Sequence, residues 1–392
     1  MGRGRRALAI VAIIAVALGL FLGRSQLRPT AEEVVEAIGD WSTRLRDIAA
    51  VEHRTEVELR SREGESGSVF ITLGSGPGDA AFALLATAPE APSILVVLPQ
   101  DLLVDTPGFG ELRLVDALVF GGPDLAALAV INQFGIRLDA VAALPGGSIA
   151  AGLLGPVVVD LSVPFFVEGS DNSVTRILPG GRTEVMPDFV ETLLVMAGVG
   201  DVFEWIQRQG SAWRAILNAV GEAPEVADRI TALGGGDAAY GADLLVTAAA
   251  EPDAIMETVP LSRVATSVGL EAVAPLGDQT ETFFRERMGH LLLRPGGRPR
   301  IEVLNGNGRV GTTGDISRIL IRAGFRLVRT DNAENFDFED TLVVAQGSQA
   351  EGWGREVAEI LGQGLLFLEI QAPSNAVDVS IIVGHDIPSG EG

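Results

Sequence analysis

Hydrophobic residues follow two different spacings along this 392-residue chain, and the alternation of the two predicts an α/β protein. Short apolar runs bounded by Gly and Pro are typical of buried strands, whereas apolar residues at every third or fourth position are typical of helices. The pattern predicts strands at 69–73, 82–87, 93–98 and 157–163, and helices at 123–134 and 205–220. Residues 221–290 are less regular, and there we predict a strand at 242–249 and a helix at 278–293.

The first segment is uniformly apolar from residue 7 to residue 22 and is preceded by Arg3, Arg5 and Arg6. This pattern predicts a transmembrane helix over 7–23, with residues 1–6 in the cytoplasm and the bulk of the chain outside a single-pass cell membrane protein. At about 1.5 Å per residue, such a helix is near the lower limit for crossing the membrane, so a cleaved signal peptide is the alternative.

An amphipathic segment follows the apolar one. Thr30 and Glu33 have the spacing of a capping box, which predicts that a stalk helix begins there and continues to residue 62. Its apolar residues alternate at spacings of four and three: Val34, Ile38, Trp41, Leu45 and Ile48. This stripe either packs within one chain or joins two chains as a homodimer through residues 34–48.

The C-terminal part has its own pattern. Pro and Gly at 291–300 predict a linker between a main domain at 67–290 and a small α/β domain at 301–388. In the small domain we predict strands at 301–304, 325–329, 341–345 and 377–383, with helices at 312–323 and 355–361. Gly306, Gly308 and Gly311 match a dinucleotide-binding spacing, with Asp331 twenty residues later, but so small a domain has room for only one nucleotide-binding half. A tight strand-to-helix turn also accounts for these glycines.

Composition excludes several function classes. All 29 basic residues are arginine, which excludes a phosphate-loop lysine and a Schiff-base lysine, and the lack of cysteine excludes thiolate metal sites. The three histidines (His53, His290 and His385) are scattered, which argues against a histidine-based triad or metal cluster. A net charge of −23 argues against a nucleic-acid partner.

The stretch LVVLPQDLLVDTPGFGELRLVDALVFGG, residues 95–122, resembles the strand-and-loop core of the LytR-CpsA-Psr family. Pro99, Gln100 and Asp101 align with the family's Pro-Arg-Asp motif, and Arg208 with Gln209 aligns with its final Arg-Gln pair. Residues 301–387 resemble the LytR C-terminal domain that often follows. The resemblance implies a central sheet flanked by helices and transfer of glycopolymers from a polyprenyl pyrophosphate carrier to the bacterial cell wall.

The resemblance also implies roles for individual residues. Asp79 and Asp101 correspond to carboxylates that would hold Mg²⁺. The positions expected to contact the lipid pyrophosphate are Gln100, Arg113, Arg208 and Gln209. Asp101, Arg113 and Arg208 would carry the catalysis.

The chain departs from the family pattern at its cations. Pro77, Gln100 and Trp205 stand where the family has arginines. We therefore expect a catalytically impaired relative that binds a wall glycopolymer, its polyprenyl carrier or a partner protein. An active magnesium-dependent phosphotransferase that attaches glycopolymers to peptidoglycan, and a purely structural or interaction protein, are the alternative hypotheses.

Overall fold

The computed structural model describes residues 66–74, 76, 80–265, 271–362, 364–369 and 376–387. The expected cytoplasmic start, transmembrane helix, stalk helix and dimer stripe lie outside the described residues. Asp79, the first of the two expected Mg²⁺ ligands, also lies outside them. The predictions for these segments stay predictions.

The central domain is built on a six-stranded mixed sheet. Its strands, in spatial order, are β11 (Gly235–Gly236), β6 (Ala140–Leu144), β1 (Gly67–Leu73), β2 (Ala81–Ala88), β3 (Ala91–Leu98) and β12 (Ile255–Thr258). The antiparallel strands β1, β2 and β3 are almost entirely buried and correspond to the first three predicted strands. Their unbroken apolar runs reflect burial on both faces of the sheet.

Four two-stranded pairs complete the β-structure of this domain. They are β4 (Leu103–Thr106) with β5 (Gly110–Arg113), β7 (Val157–Leu161) with β10 (Gly181–Val185), β8 (Phe165–Glu168) with β9 (Val174–Leu178), and β13 (Leu261–Ala265) with β14 (Glu271–Pro275). The predicted strand at 157–163 is therefore present but ends two residues earlier. The β4–β5 hairpin has the greatest bearing on the candidate site, because it ends at Arg113.

Helices pack around the central sheet. They are α1 (Leu114–Phe134), α2 (Ser148–Gly152), α3 (Pro187–Val195), α4 (Val202–Glu222), α5 (Glu225–Thr231), α6 (Ala238–Ala250) and α7 (Gly277–Met288). The strand predicted at 242–249 is wrong, because these residues lie in α6. A short apolar run fits a buried helix as well as a strand, and the alanines of α6 favour the helix. The helix predicted at 278–293 ends at Met288 and continues as one 3₁₀ turn at Gly289–Leu291.

Helix α1 is two helices joined at a break. The backbone leaves helical geometry at Gly121 and Gly122, and Pro123 begins the second half, as predicted for residues 123–134. Gly122 has φ +70° and ψ −169°, a conformation that is essentially confined to glycine. Among the described residues, α1 is the one helix long and apolar enough to span a membrane, but 56% of its apolar window is buried, as in a core helix.

The C-terminal domain is a five-stranded sheet with two helices. Its strands, in spatial order, are β16 (Arg326–Asn332), β15 (Arg300–Asn305), β19 (Val379–Val383), β17 (Leu342–Gln346) and β18 (Leu365–Glu369), and its helices are α8 (Thr312–Arg322) and α9 (Glu351–Leu361). Every strand and helix predicted in this region is present, and β18 is additional. The glycine-rich turn leads from β15 into α8, with Gly308 and Gly311 at positive φ.

The core of the C-terminal domain also takes in residues of the central domain. Leu128 and Ile131 of α1 pack in the same apolar cluster as Ile301, Leu320 and Phe325. The second half of α1 thus contributes side chains to this core as well as to the core of the central domain.

Candidate functional site

The turn after β3 carries the Pro-Gln-Asp triplet, and the backbone carbonyl of each of its three residues accepts a hydrogen bond. The amide of Leu102 donates to the carbonyl of Pro99 at 3.1 Å, which closes the turn. Val115, in the first turn of α1, donates its amide to the Gln100 carbonyl at 3.0 Å, and Val273 of β14 donates to the Asp101 carbonyl at 3.1 Å. These bonds place the Asp101 side chain next to the end of the β4–β5 hairpin.

Arg113 lies at the end of that hairpin, and carboxylates surround its guanidinium. Its Nη1 donates to Asp101 Oδ1 at 3.1 Å. Nε and Nη2 donate to the two carboxylate oxygens of Asp116 at 2.7 and 2.8 Å. This second contact is bidentate, the strongest arrangement available to an arginine and a carboxylate. All three side chains are only about one-quarter exposed or less.

The pKa values of this group follow from burial and pairing. Burial raises the pKa of Asp101 above its usual value of 3.8, because desolvation outweighs the attraction of Arg113. The hydrogen bond to Asp116 is the main reason that the pKa of Arg113 is raised further. Arg113 is thus a fully charged cation that already has two anionic partners.

Gln100 places a neutral amide next to Asp101, and it is buried, with 8% of its surface exposed. Together, Asp101, Arg113 and Asp116 carry two negative charges and one positive charge. Asp116 is the member of this group that the sequence analysis missed. Its position three residues after Arg113, in the first turn of a helix, is the signal that could have identified it.

Arg208 lies on the buried face of α4. Its Nη2 donates to the carbonyls of Met196 and Ala197, in the segment that follows α3. Its guanidinium carbon lies 4.2 Å from the centroid of the Phe165 ring, a cation–π contact. Burial lowers the pKa of Arg208 to about 10, and the charge of Glu204 opposes this shift. No ion pair among the described residues links Arg208 to Asp101.

Gln209 is on the same helix and is 1% exposed, and its Nε2 donates to the carbonyl of Leu194. Trp205, Gln209 and Trp213 are spaced four residues apart and therefore form one buried row along α4. Within the described part of the chain, the indole nitrogens of both tryptophans and Oε1 of Gln209 have no hydrogen-bond partner. Arg208 and Gln209 thus anchor α4 against the end of α3.

The described residues by themselves do not fit a Mg²⁺ site. Asp101 faces a guanidinium rather than a second carboxylate with a free oxygen, and no group of three potential metal ligands lies among the described residues. A site that also used Asp79 would include a residue outside the described ones.

Residues 298–386 match the family model described as "LytR cell envelope-related transcriptional attenuator". No curated protein matches the chain. Several solved structures are similar to it at low identity. TagV from B. subtilis shares 13% identity over 59% of this chain and 98% of its own, with a TM-score of 0.49. A structure titled "TagT bound to LI-WTA" shares 15% over 60% and 95%, with a TM-score of 0.45.

A third similar structure is described as a LytR-Csp2A-Psr enzyme from Actinomyces oris. It shares 16% identity over 57% of this chain and 89% of its own, with a TM-score of 0.43. One protein with the LytR-Csp2A-Psr name is thus among the solved structures similar to this chain. The family match confirms the resemblance found in the C-terminal sequence, because residues 298–386 match the family model of the LytR C-terminal domain.

Proposed function

We propose that this chain is a membrane-anchored, extracytoplasmic cell-envelope protein that binds a wall glycopolymer without transferring it. The cell-envelope assignment rests on the LytR C-terminal domain and on the motif resemblance of residues 95–122. The polymer is recognised through its sugar hydroxyls rather than through the pyrophosphate of its polyprenyl carrier.

One observation carries the proposal: the guanidinium of Arg113 is already held by Asp101 and Asp116. A pyrophosphate would have to displace a bidentate carboxylate and would then lie beside two negative charges. Carboxylates of this kind are instead good acceptors for hydroxyl groups, since each ionised oxygen accepts hydrogen bonds. The carboxylates of Asp101 and Asp116 therefore favour a hydroxyl-rich, uncharged ligand over a phosphate.

The expected loss of catalysis follows from the missing cations. A hydrogen bond from an arginine to a developing phosphate charge contributes about 1.5–3 kcal/mol, and each 1.4 kcal/mol is about tenfold in rate. Neutral residues stand at three arginine positions of the family pattern, so the expected rate is lower by several orders of magnitude. Arg208 does not offset this loss, because its guanidinium is buried against the Phe165 ring and its Nη2 already donates to two backbone carbonyls, which leaves only Nε, of its buried nitrogens, without a partner among the described residues.

The test uses the full chain in detergent with two probes: a soluble cell-wall glycan fragment, and a polyprenyl-pyrophosphate-linked glycan supplied with Mg²⁺. We expect glycan binding by calorimetry, at least tenfold weaker in Asp101→Ala, and no release of polyprenyl phosphate. Glu111→Ala, an exposed change in the same hairpin, is the control and should leave binding unaltered.

Mg²⁺-dependent release that disappears in Asp101→Ala would instead establish an active phosphotransferase. A chain that binds neither probe would favour the purely structural alternative.

A further inference from the structure

Both ends of α1 lie against the same short strand, β4. At its start, Arg113 is the register partner of Leu103. Near its end, Asn132 Nδ2 donates to the carbonyl of Asp105 at 2.9 Å. Leu103 and Asp105 are about 7 Å apart along a strand, whereas a straight helix of this length would extend about 30 Å. The break at Gly121 and Gly122 therefore folds the second half of α1 back toward the hairpin that ends at Arg113.

Asn132 also bonds to the C-terminal domain. It is fully buried, its Nδ2 donates to the Leu327 carbonyl, and its Oδ1 accepts from the Leu327 amide, both at 2.9 Å. Leu327 lies in β16, the edge strand of the C-terminal sheet. One amide side chain thus continues the hydrogen bonding of that edge strand into α1 and, through Asp105, into β4.

Arg298 reinforces this junction from the predicted linker. Its guanidinium donates to the carbonyls of Asn132 at 2.7 Å, Phe325 at 2.8 Å and Gly324 at 3.3 Å. Burial lowers the pKa of Arg298 to about 10, in keeping with a cation largely enclosed between the two domains. Residues 294–299 are therefore packed against both domains rather than forming a free linker.

Asp105 of β4 connects α1 and the C-terminal domain to the hairpin of the candidate site. Its amide donates to Gln133 Oε1 at 3.4 Å, and its carboxylate pairs with Arg326 of β16 at 3.4 Å. The strand that contains Asp105 begins two residues after Asp101 and pairs with the strand that ends at Arg113. The C-terminal domain is thus joined to both chain segments that carry the candidate site.

We infer that the LytR C-terminal domain is a positioning element for the Asp101–Arg113 site, acting through Arg298, Asn132 and the β4–β5 hairpin. Only the importance of that site rests on the proposed function. The mechanical link itself can be tested without any ligand.

Hydrogen exchange of the full chain, followed by mass spectrometry, tests the link through Arg298→Gln. Arg298 donates to the carbonyls of Asn132, Gly324 and Phe325 but not to the described residues of the hairpin, so a purely local role would raise exchange only around residues 132 and 323–329. We expect exchange about tenfold faster in residues 99–113 as well, since two or more ordinary hydrogen bonds are lost at the junction. Arg355→Gln removes an exposed ion pair of α9 within the same domain and is the matched control.

Asn132→Leu is the second variant and removes the direct bond to Asp105 while keeping the side-chain volume close. Unchanged exchange in the sheet strands β1, β2 and β3 shows for each variant that the central domain remains folded. Faster exchange at 99–113 in Arg298→Gln and Asn132→Leu, but not in Arg355→Gln, supports the inference. Exchange at 99–113 that stays at the wild-type rate in Arg298→Gln overturns it.

Glycan binding is then measured on the same variants. We expect Arg298→Gln to weaken binding at least threefold while the control binds as the wild type does. If the wild type binds no glycan, the proposed function fails, but the exchange result still decides whether the C-terminal domain positions the hairpin.

Discussion

Arg113 and Asp116 are joined by two hydrogen bonds of 2.7 and 2.8 Å, so the arginine of the candidate site is held by a carboxylate three residues along the chain. Asp101 takes a third position on the same guanidinium. The chemistry available to this site depends on whether a ligand can compete with these two carboxylates.

Removal of the Asp116 carboxylate should increase the affinity of the site for phosphate groups. We predict that Asp116→Asn strengthens binding of farnesyl pyrophosphate about tenfold, because an uncharged amide holds Arg113 less tightly and one negative charge is lost. Calorimetry on the full chain measures the change. Asp124→Asn, an exposed substitution in the same helix, removes the same charge farther from Arg113. An equal gain in both variants would show that net charge alone is responsible.

The pKa of Asp101 should respond to Arg113 in a defined direction. We predict that Arg113→Gln raises this pKa further, because the guanidinium lowers it and burial, the larger effect, remains. A carboxyl whose pKa is raised on folding contributes stability below pH 3.8, and this contribution is lost as pH rises through the folded-state pKa. The variant should shift the end of that window to higher pH.

Carbon-13 titration of the Asp101 carboxyl measures this pKa directly. Arg287→Gln breaks a distant ion pair with Glu257 and should leave the titration where it is. A titration midpoint that falls in Arg113→Gln would contradict the prediction.

Arg208 should matter for stability. We predict that Arg208→Ala lowers the free energy of unfolding by about 2–4 kcal/mol, because it opens a cavity beside Phe165 and leaves two carbonyls without their donor. Urea denaturation gives the value. Arg182→Ala, on exposed strand β10, is the comparison and should cost no more than about 0.5 kcal/mol. Similar losses for the two variants would show that Arg208 is not an anchor.

The break in α1 should depend on glycine. We predict that Gly122→Ala lowers the free energy of unfolding by about 1–3 kcal/mol, through backbone strain alone, because its φ is +70° and a Cβ would meet no atom within 4 Å. Gly155→Ala places a methyl group in similarly open space without a positive φ. Thermal unfolding of the two variants separates backbone strain from packing, because only Gly122→Ala should lower the midpoint temperature. Equal midpoints for the two variants would contradict the prediction.

The sequence by itself determined most of the secondary structure of the described residues. Unbroken apolar runs marked β1, β2 and β3, Pro123 marked the second half of α1, and the glycines at 306–311 marked the turn between β15 and α8. These features could be predicted because burial and backbone conformation leave a local periodic pattern. Helix α6 was predicted wrongly, because a short apolar run shows no clear period and the helix propensity of its alanines was given too little weight.

Only the tertiary structure decided what the candidate site residues contact. The motif resemblance named Arg113 and Arg208 as phosphate ligands, but not the acceptors that fold against them: Asp116 for the first, and the carbonyls after α3 for the second. The bond between Asn132 and Leu327 spans 195 positions. Such pairings depend on side-chain geometry and on chain segments far apart in sequence, and no local pattern records either one.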